Sequence, residues 1–67
     1  MRIDRAKFAA AVAVADIGMG ELAARSGLSR ATVTSVKGGK RCTDETAAKL
    51  AASLGVTVDE LREQSRG

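Results

Sequence analysis

The chain is 67 residues long and carries 11 Lys and Arg against 8 Asp and Glu, a formal charge of +3. It has no His, Trp, Tyr or Pro, one Phe and one Cys, which excludes an intramolecular disulfide and argues against a zinc site. A chain this short suffices for one domain, expected over residues 1–67, with a core of Leu, Val, Ile and Ala.

Five helix starts share one layout: an apolar residue, a capping residue, then an apolar residue four positions after the cap. They are Ile3-Asp4 with Phe8, Ile17-Gly18 with Leu22, Leu28-Ser29 with Val33, Cys42-Thr43 with Ala47, and Val56-Thr57 with Leu61. This is the hydrophobic staple, which sets the angle at which the chain enters a helix. Asp, Ser or Thr stands at four of the caps, Gly18 being the weaker one, and Thr57 with Glu60 forms a capping box. The fold class read from this is all-α.

In chain order, the first helix is expected over about Arg5–Ala15, with Phe8, Val12 and Ala15 on one face. The basic start and apolar run of Met1–Ala15 have the outline of a signal peptide, but the run is short and Asp4 interrupts the basic part. The second helix is expected over about Met19–Arg25 and the third over Arg30–Lys37, where Gly38-Gly39 supplies the positive φ that ends it. Lys40-Arg41-Cys42 reads as an exposed basic loop, with Cys42 partly buried. The fourth helix, about Asp44–Leu54, turns Ala47, Leu50, Ala51 and Leu54 inward and stops at Gly55. The fifth is expected over Val58–Gln64, and Ser65-Arg66-Gly67 as a fraying tail. No apolar run approaches the roughly 20 residues that span a bilayer.

The stretch Met19–Gly38 organises the rest. Leu22 and Ala23 face inward before the turn, Val33 and Val36 after it. Gly27 suits the left-handed residue that closes one helix, and Ser29 the N-cap of the next. That is the spacing of two short helices meeting at a tight corner. Between Glu21 and Asp44 there is no acidic residue, whereas Arg25, Arg30, Lys37, Lys40 and Arg41 all lie there. Leu22–Thr43 therefore carries +5 and the rest of the chain −2. The positive charge falls on the corner, the third helix and the loop after it, where a reader of duplex DNA needs it.

Catalysis finds little support. There is no His to act as a base and no Tyr to act as an acid, and the carboxylates stand at helix starts, where capping explains them. Gly38-Gly39-Lys40 lacks the upstream Gly and following Ser or Thr of a phosphate loop. For DNA, Arg30 in the opening turn of the third helix can donate two hydrogen bonds to guanine. Ala31 offers only methyl contact or room, and Thr34 and Ser35 lie one turn on, opposite Val33 and Val36. Phosphate contacts fall to Ser29, Thr32, Lys37, Lys40 and Arg41, with the free N–H groups around Met19 and Gly20 as an uncharged anion site. Arg25 is expected in a surface ion pair.

The runs ELAARSGLSRATVTSVKGGKR and ETAAKLAASLGVTVDEL resemble the phage-repressor helix-turn-helix family, the Cro- and lambda-repressor-like five-helix domains. The likeness extends over about Phe8 to Leu61. It implies a transcriptional regulator, a small repressor that binds an operator in double-stranded DNA as a homodimer, its third helix in the major groove. It implies base contacts at Arg30, Ala31, Thr34 and Ser35, and backbone contacts around Met19, Ser29, Thr32, Lys40 and Arg41. Two positions depart from the family pattern: Met19 stands where Gln is frequent, and Lys37 where an acidic residue is common. A cytoplasmic protein without cofactor or small-molecule ligand is expected, with Val56, Val58 and Leu61 as the dimer surface. The alternatives are an antitoxin-like protein-interaction module on the same fold, and an excision or architectural DNA-binding factor of a mobile element.

Overall fold

Each helix begins where its capping residue stands. The computed structural model describes residues 1–63, which form α1 (Arg5–Ala15), α2 (Met19–Ser26), α3 (Arg30–Lys37), α4 (Asp44–Leu54) and α5 (Val58–Leu61). Asp4 accepts from the Lys7 N–H at 2.9 Å, Ser29 from Thr32 at 3.1 Å, Thr43 from Thr46 at 3.1 Å and Thr57 from Glu60 at 3.2 Å. The Thr57 N–H donates back to the Glu60 carboxylate at 3.3 Å, which completes the capping box. Gly18 opens α2 with no side-chain bond.

The core is assembled from one face of each helix. Phe8 of α1, Leu22 of α2, Val33 of α3, Leu50 of α4 and Leu61 of α5 are all at most 1% exposed. Full burial of each such side chain contributes roughly 1.5–3 kcal/mol before the cost of ordering the chain. The corner between α2 and α3 closes on Gly27 at φ 74°, and α4 packs across α2. Ala23, 5% exposed, is small enough to let the helices approach there. The Gly27 N–H donates to the Ala23 carbonyl, so α2 runs one residue past its expected end to Ser26, which is buried there and donates its hydroxyl to the same carbonyl.

Three expectations are corrected. The fifth helix stops at Leu61 instead of Gln64, because Arg62 turns extended (φ −63°, ψ 135°) and bridges antiparallel to Ile3. The Asp4 N–H donates to the Leu61 carbonyl at 2.8 Å and the Glu63 N–H to the Arg2 carbonyl at 3.0 Å, bonds that a longer helix would forfeit. Gln64 and the tail Ser65-Arg66-Gly67 lie outside the described residues. Of the glycine pair after α3, only Gly39 has positive φ (95°); Gly38 keeps φ −78°. Leu61, expected at a dimer surface, is in the core, which leaves Val56 and Val58 half-buried beside it.

Along α1, Phe8 is buried and Val12 and Ala15 half-buried, as the spacing implies, while Val14 is 88% exposed. The helix ends on Asp16, the single described non-glycine residue at positive φ (56°). Among the described residues no helix is long and apolar enough to cross a membrane.

Candidate nucleic-acid interface

Ser29 starts the helix that presents the candidate residues. Its hydroxyl holds the Thr32 N–H and lies 2.9 Å from the Thr32 hydroxyl, which fixes the first turn of α3. From there the helical period separates two faces. Val33 and Val36, 0% and 2% exposed, go into the core, while Arg30, Ala31 and Thr34 are exposed on the opposite side and Ser35 is half-buried at its edge. The side chains expected to read bases thus share the outer face of α3.

The loop after α3 is pinned to it. The Lys40 N–H donates to the Ser35 carbonyl at 3.0 Å and the Gly39 N–H to the Val36 carbonyl at 2.9 Å. Further along, the Cys42 N–H donates to the Met1 carbonyl at 2.8 Å. Lys40 and Arg41 are both exposed on this tethered loop. Ala31, Thr32, Ser35 and Arg41 come together around one shallow depression between α3 and the start of α4. Thr43, read from the sequence as a cap alone, lines it too, together with Thr46, to which the sequence points in no way. Lys37 lies on the other flank of α3, in an open groove shared with the first turn of α1.

At the start of α2, Gly20 is exposed and a Cβ there would meet nothing within 4 Å, so its backbone is open to a ligand. Met19 is half-buried against the core and leaves its N–H as its contribution to that helix start. The one acid of the turn, Glu21, is paired with Arg25, the surface ion pair expected for that arginine. Arg30, Lys37, Lys40 and Arg41 make no ion pair among the described residues. The cations on and after α3 are thus solvated and available, whereas Arg2, Arg25, Lys49 and Arg62 are matched with carboxylates elsewhere.

Burial pushes the Cys42 thiol above its ordinary range; the Met1 ammonium partly offsets this and Asp44 adds to it. A half-buried thiol held neutral is a poor nucleophile, which fits the packing role of a staple residue.

Two helices meeting at a glycine corner, with the second turning a polar, cationic face to solvent, define a helix-turn-helix protein of DNA-binding type. A family model, the Cro/C1-type HTH DNA-binding domain, matches residues 13–64, and the chain belongs to that family. No curated protein and no solved structure matches it.

Proposed function

We propose that residues 1–67 act as one small transcriptional repressor, a homodimer that covers an operator in double-stranded DNA. The supporting observation is the division of α3: Val33 and Val36 are sealed in the core while Arg30, Ala31 and Thr34 face outward, with Ser35 half-buried at their edge, between two cationic flanks. In the mechanism, α3 enters the major groove. Arg30 donates to guanine O6 and N7, Thr34 and Ser35 make shorter-reach contacts, and Ala31 leaves room or meets a thymine methyl. Ser29, Thr32, Lys37, Lys40 and Arg41, with the N–H groups of Met19 and Gly20, position the phosphates. A two-fold dimer would place its half-sites ~34 Å apart. The setting proposed is the cytoplasm, where a lone cysteine stays reduced.

Selection of bound duplexes from a random pool tests this directly. Recovery of a two-fold symmetric sequence is expected; recovery of random duplex alone would favour the excision or architectural factor. With the recovered site, Arg30→Ala should cost ~1–3 kcal/mol and relax preference at one base pair. Lys40→Ala should weaken all duplexes alike. If Lys37, Lys40 and Arg41 each neutralise one phosphate, log K should fall with log salt at a slope of about −2.7 per protomer, roughly 40-fold between 50 and 200 mM. A flat salt response would refute the cationic face.

The protein-interaction module remains as a second reading because of one observation. Exposed Val14 borders an apolar groove with Ala10, Leu54 and Val56, and none of these residues belongs to the cationic face. Absence of duplex binding at low salt would favour that reading.

A further inference from the structure

Arg5 lies outside the basic stretch of the sequence, yet the fold carries it to the end of α3. It opens α1, is exposed, and makes no ion pair among the described residues. Its stem runs along Gly39: a Cβ built on that glycine would be 3.1 Å from Arg5 Cδ and 3.6 Å from Nε. Arg5 thus shares an open groove with Lys37, Gly38 and Gly39, on the flank of α3 away from Arg41. The two acids of that groove are already committed, Asp4 to the α1 cap and Glu63 to Arg2 at 3.8 Å. The other cation at the start of α1, Lys7, differs, because it is half-buried and its ammonium donates to the Arg62 carbonyl at 3.3 Å.

We infer that Arg5 is a DNA-backbone contact, which with Lys37 forms a second phosphate clamp along α3, opposite the one at Lys40 and Arg41. The inference rests on the DNA-binding reading above. A helix seated in the major groove has a phosphate strand on each side, and cations on a single flank would hold it against one strand alone. Arg5 supplies the flank that α3 itself occupies with only Lys37. Gly39 makes the arrangement possible, since a larger residue there would displace the arginine stem.

Titration of duplex by the full chain, followed by fluorescence anisotropy across a salt series, tests this with the selected duplex and with random duplex. Arg5→Gln keeps most of the stem and removes the charge. It should reduce the magnitude of the salt slope by about 0.9 per bound protomer on both duplexes. Arg5→Lys should restore the slope, and Lys49→Ala, which removes a cation paired with Glu45, should leave it unchanged. An unaltered slope in Arg5→Gln, with or without a lower melting temperature, would overturn the inference and leave the DNA reading intact. A changed base preference would overturn it too, by making Arg5 a base reader. Failure of the unmodified chain to bind any duplex would sink both.

Discussion

Alanine placed at Gly38 and at Gly39, one at a time, should move the stability of this chain in opposite directions. At Gly38 the backbone is right-handed (φ −78°, ψ −3°), and a Cβ would meet the Ser35 and Thr34 carbonyl oxygens at 3.5 Å, an ordinary contact. Alanine there restricts the unfolded chain without straining the folded one, a gain of ~0.4–1 kcal/mol. At Gly39, φ is 95°, where an L-residue is penalised by ~1–2 kcal/mol, and the new Cβ would also push Arg5 aside. The unfolded-state gain is common to both variants and cancels in their difference. The gap between them is therefore the strain alone, ~1–2 kcal/mol, which in a chain of this size separates the melting temperatures by roughly 4–16 °C. Circular dichroism melts of the two variants in one buffer read this directly. Gly39→Ala melting at or above Gly38→Ala would refute the conformational argument.

Other perturbations test the remaining parts. Ser29→Ala removes the cap that holds the Thr32 N–H at 3.1 Å and should cost ~0.5–2 kcal/mol in a denaturant titration. Asp16→Gly should stabilise by about 1 kcal/mol, since glycine accepts φ 56° and the change removes an anion from the negative end of α1; a lower melting point would contradict this. Burial raises the folded pKa of Cys42 above its unfolded value, so the neutral thiol is the form favoured by folding. Its stabilising contribution is complete below the ordinary thiol value of 9.0 and lost as pH rises through the higher folded value. Stability should therefore decline more steeply above about pH 9 in the unmodified chain than in Cys42→Ala, followed by denaturant midpoints.

The helix starts were legible because capping is local: an acceptor at Asp4, Ser29, Thr43 or Thr57 lies three residues from the N–H it serves. The inward faces of α2, α3 and α4 were legible for the same reason, since a period of 3.6 on Leu22, Val33 or Leu50 needs no knowledge of neighbours. The far end of α5 was not. Its length is set by a bridge between Ile3 and Arg62, and no window of local sequence contains both. Leu61 misled in a related way: an apolar residue on a short final helix suits a core and a partner equally, and the packing of α1 against α5 decides for the core. On the candidate interface, the charge run from Arg25 to Arg41 was plain. Arg5 was not, because only the crossing of α1 over the end of α3 brings it near Gly39.

The pairing of Ile3 with Arg62 also bears on the order in which the molecule comes apart. It closes a ring of nearly the whole chain, and such long closures carry the largest entropic cost and the smallest local reward. The corner of α2 and α3, by contrast, joins neighbours across a three-residue turn. Opening the ring first would release Asp4 and Glu63 N–H protons to exchange with solvent while those of α2 stay protected. The segment that presents Arg30 would then outlast the joined termini, and opening the ends would not by itself undo the corner.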